Sequence, residues 1–551
     1  MDKMLRPIRR ALVSVFHKEP ARNLVACLHR HGVEIYSTGG TLAFIRDMGV
    51  PVKAVEDLTG YPSILGGRVK TLHPAVFGGI LARREHAGDP AELEKYQIPA
   101  FDAVVVDLYP FEQTVAGGAS HDDTIEKIDI GGISLIRAAA KNHRDVLVVP
   151  DPEYFDAAAN LIEQSGGKTS LADRESFAAA AFDVSSHYDT TIYSYLAGRQ
   201  MAGGKMDGAQ QADAQQAATQ HAGAQDAGAQ QEQLAGDHKA VTPPASFKHS
   251  IRRSVPLRYG ENPHQQGRFF GDLHAMFEQL NGKALSYNNL LDVDAALQVM
   301  QGRSGHCFAI IKHTNVCGMA VRDNLLQAWE DALSGDPVSA FGGILIANRN
   351  ITEAVSYAIN ELFFEVLIAP GFDDEALNIL TQKKNRILLK RKETGIPASG
   401  FRSLLNGVLW QTADAAEVMP DGWTHPTKKN PGKGEEQDLL LANWIVRQLK
   451  SNAIALVKDQ RLVGTGMGQT SRVDALNHAI AKAKAYGHSL DGAVMASDAF
   501  FPFPDCVEIA HRAGITAVIQ PGGSVRDQES VDYCDRAEMA MAFTGKRHFR
   551  H

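Results

Sequence analysis

The sequence predicts an α/β protein in two parts, a doubly wound N-terminal domain and a larger mixed α/β C-terminal region. Three observations carry this. Strand-like and helix-like patterns alternate over residues 1–200, an Ala/Gln/Gly-rich tract of low complexity fills residues 201–246, and apolar strands and amphipathic stretches resume over residues 247–551. At 551 residues the chain also exceeds what one hydrophobic core sustains.

The elements follow in order. Residues 11–16 read as a buried strand, and residues 20–31 as a helix with Pro20 near its start and Gly32 just past its end. Residues 33–37 form a second strand, and Thr38-Gly39-Gly40-Thr41 opens a second helix that stops at Gly49. Residues 103–108 and 146–149 are further apolar strands. Strands spaced by helices of this length imply a mainly parallel sheet, and such sheets bind ligands beyond the carboxyl ends of their strands. The tract at 201–239 is nearly all Ala, Gln, Gly and Asp, too poor in apolar surface to offset its ordering entropy, and reads as a solvated linker. Beyond it come a helix-like stretch at 438–450 and short strands at 307–311 and 516–519. The C-terminal region is long enough for two similar lobes, but the sequence displays no clear internal repeat.

Composition narrows the function. A net charge of −8 argues against broad nucleic-acid binding, which needs a cationic surface. The 5 cysteines are odd in number and scattered, the pattern of a reducing compartment without a disulfide framework, so a cytoplasmic location is expected. The basic N-terminus lacks a following apolar h-region, and no stretch approaches the length of a membrane span.

Chemistry gathers in a few loops. At Thr38-Gly39-Gly40-Thr41 a strand meets a helix, where glycines let backbone N–H groups approach an anion; a plain tight turn explains the same residues. The segment Gly66-Gly67-Arg68-Val69-Lys70-Thr71 adds cations in one loop, and the two segments together favour a phosphorylated ligand over a merely solvated basic loop. Asp107-Leu108-Tyr109 ends an apolar strand, and Tyr109 reads equally well as a core tyrosine. Asp129 and Lys141 bracket a helical run whose geometry alone does not bring them together. In the C-terminal region Arg258-Tyr259 opens a turn-rich segment, and Lys312-His313-Thr314-Asn315 follows an apolar strand directly. Phe341-Gly342-Gly343, Phe364-Glu365, Ser451-Asn452, Ser471-Arg472, Asp498-Ala499-Phe500 and Arg547-His548 complete the set. Each has a structural reading by itself; the combination is not explained by chance.

In order and spacing, the N-terminal motifs resemble the inosine monophosphate (IMP) cyclohydrolase domain, whose fold is similar to methylglyoxal synthase. The C-terminal set resembles aminoimidazole carboxamide ribonucleotide (AICAR) formyltransferase, with a fold related to cytidine deaminases. The resemblance covers nearly the whole chain apart from the low-complexity tract. It implies formyl transfer from 10-formyltetrahydrofolate to AICAR, giving FAICAR, and closure of FAICAR to IMP with loss of water. It implicates Lys70, Tyr109, Asp129 and Lys141 in ring closure, with Thr38, Gly39, Gly40, Thr41, Arg68 and Thr71 binding the nucleotide. For formyl transfer it implicates Lys312, His313 and Asn452, with Arg258, Tyr259, Gly342, Glu365, Arg472, Phe500 and Arg547 binding substrate. A homodimer is implied as well.

This chain departs from the family at Phe16-His17-Lys18, where Ser-Asp-Lys is usual, and at Asp107, where Asn is usual. These departures leave an alternative, a formyltransferase with a degenerate cyclohydrolase domain. A zinc deaminase is argued against by the lack of a Pro-Cys-x-x-Cys motif, and no metal is expected. A non-catalytic nucleotide-binding regulator is opposed by the intact Lys70, Lys312, His313 and Asn452.

Overall fold

The computed structural model describes residues 5–65, 69–203, 246–395, 397–414 and 419–551. Arg68 and most of the low-complexity tract lie outside them. The chain divides into two compact units, Met1–Ser250 and Ile251–His551.

In the first unit, β1 (Arg10–Ser14), α1 (Lys18–Arg30), β2 (Glu34–Ser37), α2 (Gly39–Asp47), β3 (Val52–Ala54), α3 (Pro74–Leu81), β4 (Ala103–Val106), α4 (Gly131–Lys141), β5 (Leu147–Val149), α5 (Phe155–Gln164) and α6 (Leu171–Gly203) follow one another. The strands form a 5-stranded sheet in the order β3-β2-β1-β4-β5, parallel throughout. Its continuous apolar strands are explained by cover on both faces. Ala11, Val13, Ala103 and Val105 pack with α1 and α5 on one side. Leu12, Val104 and Val106 point the other way, toward α3, α4 and α6. The chain leaves β1 toward β2 on one side and reaches β4 on the other, so the switch point lies beyond the ends of β1 and β4. Phe16, His17, Asp107 and Tyr109 stand there. The β4 strand stops at Val106 instead of the expected 108, because Asp107 leaves the ladder to bond the chain after β1.

The second unit is built on β6 (Phe277–Asn281), α7 (Tyr287–Met300), β7 (His306–Lys312), β8 (Asn315–Arg322), α8 (Leu325–Gly335), β9 (Ile344–Ala347), β10 (Val366–Ala369) and β11 (Ile387–Arg391). It continues through α9 (Lys433–Val446), β12 (Ile454–Lys458), β13 (Arg461–Gly466), α10 (Arg472–Ala485), β14 (Val494–Ser497), β15 (Ala517–Gln520) and β16 (Ala540–Phe543). These strands make one 11-stranded sheet, ordered β6-β11-β10-β9-β7-β8-β13-β12-β14-β15-β16. The α9 helix starts before the predicted 438 because Glu435 accepts from the Gly432 N–H and caps its first turn.

That order contains the repeat the sequence conceals. The antiparallel hairpin β7–β8 is followed by β9, β10 and β11, and the hairpin β12–β13 by β14, β15 and β16, each trio internally parallel. The halves join where β8 meets β13, at Ala320 and Arg461. Both hairpins carry a register shift at matching places, after Ile310 and after Leu456. Both also need a glycine under a helix. A Cβ on Gly318 would lie 2.0 Å from the Ala332 carbonyl oxygen of α8, and one on Gly464 2.4 Å from that of Ala479 in α10.

Because those neighbours are helix backbone, neither can yield. Gly318→Ala and Gly464→Ala are each expected to destabilise the second unit by about 3 kcal/mol, measured by urea unfolding.

Candidate functional sites

At the switch point of the first unit, two lysines converge on the start of α2. A Cβ added at Gly39 would meet Lys70 Nζ at 3.1 Å, and one at Gly40 would meet Lys18 Cε at 3.2 Å. Gly39 itself has φ of 56°, a conformation glycine adopts without strain. The opening N–H groups of a helix have no partner within it, so this end offers donors and positive charge together. The threonines face inward: Thr38 Oγ1 donates to Glu56 Oε1 at 2.6 Å, and Thr41 Oγ1 donates to the Val15 carbonyl at 2.9 Å. They shape the turn, leaving backbone and lysines to meet an anion. Lys18 was not singled out from the sequence; its position directly after the first strand was the available signal.

Beside the lysines stands a wall of Phe16 and Tyr109, edge to face with ring centroids 5.5 Å apart. Tyr109 is 40% exposed, so it is not a core tyrosine. Asp129 Oδ1 accepts the Gly132 N–H at 2.6 Å, and the backbone N–H groups of Tyr109 and Ile133 face the same carboxylate. Burial raises its proton affinity; these donors oppose the rise, and the Asp107 charge adds to it. Gly132 is required because a Cβ there would come within 2.8 Å of the Asp129 carboxylate. The neighbouring Gly131 places Thr71 at the same helix start, 3.3 Å from where its Cβ would be. Lys141 is exposed at the far end of α4, about 15 Å along the helix from Gly131 at 1.5 Å per residue, with Asp129 before its start.

The two family departures form one arrangement. Asp107 is buried, and its carboxylate accepts the Phe16 N–H and, at 2.9 Å, the His17 N–H, while His17 Nδ1 lies 2.7 Å from the same group. The added negative charge is therefore satisfied by the start of α1 instead of facing the anion cradle.

In the second unit, a cavity of about 760 Å³ is lined by Arg258, Tyr259, Lys312, His313, Gly342 and Glu365, and also by Asp292. Lys312 Nζ donates to the Phe341 carbonyl at 2.8 Å. Gly342 has φ of 70°, which favours glycine, and the missing Cβ leaves room beside that ammonium, which would lie 3.1 Å from it. Glu365 Oε2 accepts from Asn289 at 3.0 Å and lies 3.6 Å from Lys283 Nζ. The Arg258 guanidinium stacks on Tyr259, 4.6 Å from the ring centroid.

Asn452, Arg472, Phe500 and Arg547 are absent from that cavity lining. They belong to the other half of the sheet. Arg472 Nη2 donates to Asn452 Oδ1 at 2.8 Å, and Nη1 pairs with the fully buried Asp498 and donates to Ser497 Oγ at 2.9 Å. Asn452 Nδ2 donates to the Gln469 carbonyl at 3.0 Å, which fixes the amide. Phe500 is 39% exposed, and Arg547 is exposed with its guanidinium over Phe549.

Among the described residues, the group able to hold a metal is Cys27, His31 and Glu163. Arg30 donates to the same Glu163 oxygen that faces Cys27 and His31, at 2.9 Å, so a cation already occupies it.

Known proteins match along the whole chain. The family model for the AICARFT/IMPCHase bienzyme matches residues 139–482, and that for the MGS-like domain matches residues 21–134. The Bifunctional purine biosynthesis protein PurH of Bacteroides thetaiotaomicron is 53% identical over 545 residues, 99% of each chain. Its namesakes from Chloroflexus aurantiacus and Rhodopirellula baltica are 42% identical over 98% of each chain and 41% identical over 99% of each.

The Asp107 geometry has a measurable consequence. Asp107→Ala strands two backbone donors and is expected to cost about 3 kcal/mol. His17→Ala, which removes a half-exposed ring, should cost about 1 kcal/mol or less. Urea unfolding of the two variants gives both values.

Proposed function

This chain belongs to the AICARFT/IMPCHase bienzyme family, and from that membership we propose how its residues divide the two reactions. It is a bifunctional purine biosynthesis enzyme, an AICAR formyltransferase and an IMP cyclohydrolase. We assign ring closure to residues 1–200 and formyl transfer to residues 247–551, with 201–246 as the linker. The observation that carries the division is that each unit gathers its own cationic and acid–base side chains.

In ring closure, the FAICAR phosphate sits on the N–H groups at Gly39-Gly40 between Lys18 and Lys70, with Thr71 on the adjoining loop. The heterocycle lies against Phe16 and Tyr109. The carboxamide nitrogen attacks the formamide carbon, and the carbinolamine loses water. An amide is a poor nucleophile, so orientation and proton transfer carry the catalysis. Asp129, with its raised proton affinity, takes the carboxamide proton, and Lys70 and Tyr109 stabilise the oxygen that departs. Lys141 joins this reaction only if the chain brings the end of α4 to the substrate.

In formyl transfer, the AICAR amine attacks the formyl carbon of 10-formyltetrahydrofolate. His313 takes the amine proton, and Lys312 stabilises the tetrahedral oxyanion or helps protonate the folate nitrogen. Asn452 orients the substrate amide. Its cluster lies apart from the Lys312–His313 cavity within the unit, which supports a homodimer in which one protomer's Asn452 and Arg472 complete its partner's cavity. The five cysteines are all free and buried, as suits a cytoplasmic enzyme.

Lys70→Ala is expected to stop ring closure, so that FAICAR accumulates while formyl transfer continues. His313→Ala should slow formyl transfer by about 10²-fold yet still close supplied FAICAR. Separate assays of the two steps check this, and equal loss of both in folded variants contradicts the division. Co-expressed His313→Ala and Asn452→Ala chains should regain part of the formyl-transfer rate, since a mixed dimer holds one intact shared site; no recovery in a confirmed mixed dimer rejects sharing.

A further inference from the structure

The chain places His313 where its own fold makes a side chain costly. Lys312 pairs with Asn315 across the β7–β8 hairpin, leaving a two-residue turn of His313 and Thr314. Both have positive φ, 50° and 62°. Tight hairpin turns of this kind favour Asn-Gly or Gly-Gly, because other L residues resist the left-handed region. A histidine needed for proton transfer cannot be exchanged for glycine, so the turn must be held from outside itself.

The holder is Asp292 on α7. Its Oδ1 accepts the Thr314 N–H at 2.6 Å, and the His313 N–H faces the same carboxylate. Thr314 Oγ1 and Asn315 Nδ2 donate to the His313 carbonyl at 2.7 and 2.8 Å. The peptide group that follows the histidine is thus held at both its N–H and its C=O, while the imidazole stays exposed to the cavity.

The second half of the sheet carries the same device without the chemistry. Lys458 pairs with Arg461, and the intervening Asp459 and Gln460 have φ of 51° and 54°. Asp438 on α9 accepts their N–H groups at 2.8 and 2.6 Å. Thr314 lies 22 residues after Asp292, and Gln460 lies 22 after Asp438. In this twin the position of His313 is taken by Asp459, which has no part in either reaction.

We infer that Asp292 is the positioning residue of formyl transfer, holding the Lys312-His313 turn in the left-handed conformation that presents the imidazole to substrate, and that Asp438 is its purely structural counterpart. The inference rests on the reading of His313 as the proton acceptor.

The test compares Asp292→Ala, Asp292→Asn and Asp438→Ala in the full-length enzyme, with His313→Ala alongside and thermal unfolding as the fold control. Asp292→Ala is expected to lower kcat for formyl transfer by about 10²-fold, the scale of a misplaced catalytic group. The KM for AICAR should change by less than about threefold, and closure of supplied FAICAR should be unaffected. Asp292→Asn keeps one acceptor oxygen for the Thr314 N–H and should recover at least about tenfold of the loss. Folded Asp438→Ala should transfer formyl at close to the wild-type rate. Should Asp438→Ala fail to fold, the kcat-against-KM split and the rescue by Asn decide. Equal kcat losses in folded Asp292→Ala and Asp438→Ala, an effect on KM alone, or no rescue by Asn overturns the inference. A normal rate in His313→Ala overturns the underlying reading instead. Loss in His313→Ala with a normal rate in Asp292→Ala overturns only the role of Asp292.

Discussion

A carboxylate that accepts successive backbone N–H groups where a buried strand ends is the interaction on which the reactive parts of this protein depend. Strands covered on both faces cannot leave polar groups unpaired, yet their ends must open into loops that carry chemistry. Asp107 resolves this for the chain after β1, Asp129 for the start of α4, Asp292 for the β7–β8 turn and Asp438 for the β12–β13 turn. Asp107 and Asp438 each satisfy two backbone donors at once, and Asp129 and Asp292 each anchor one. The exposed neighbours, Phe16, Tyr109 and His313, are then free to face solvent and substrate.

The twin hairpins show how one scaffold serves two purposes. Both rest on the same glycine beneath a helix and the same aspartate on the preceding helix. These contacts are backbone to carboxylate and backbone to backbone, so they hold the turn whichever side chain stands at its first position. One turn keeps Lys312 and His313 at a cavity, while in the other the Gln460 side chain folds back to donate to Asp438 at 2.9 Å. In the first unit the same economy explains how two departures from the family coexist: Asp107 and His17 meet each other, and the cationic approach to Gly39-Gly40 is left intact.

Much of the candidate site was legible because its residues are adjacent in sequence to strand ends. Lys312-His313 after a buried strand and Gly39-Gly40 at a strand-to-helix junction could be placed from local pattern, whereas Tyr109 read equally well as a core residue until its exposure was seen. The roles of Asp292 and Lys18 could not. An aspartate within a helix reads as an ordinary solvated position, and only the packing of α7 against β7 brings it beneath a turn 22 residues later. The Asp107–His17 contact spans 90 residues, and no periodicity signals such a partner.

The sequence by itself determined the α/β class, the parallel N-terminal sheet and the family, because these depend on hydrophobic period and on motifs read locally. The tertiary structure decided the rest. It exposed the internal repeat, which survives as hydrogen-bond geometry after the side chains have diverged. It separated Asn452 and Arg472 from the Lys312–His313 cavity, since they sit on opposite halves of one sheet. It also turned Thr38 and Thr41 inward, Thr38 to the Glu56 carboxylate and Thr41 to the Val15 carbonyl, where β1 has ended and no ladder partner remains.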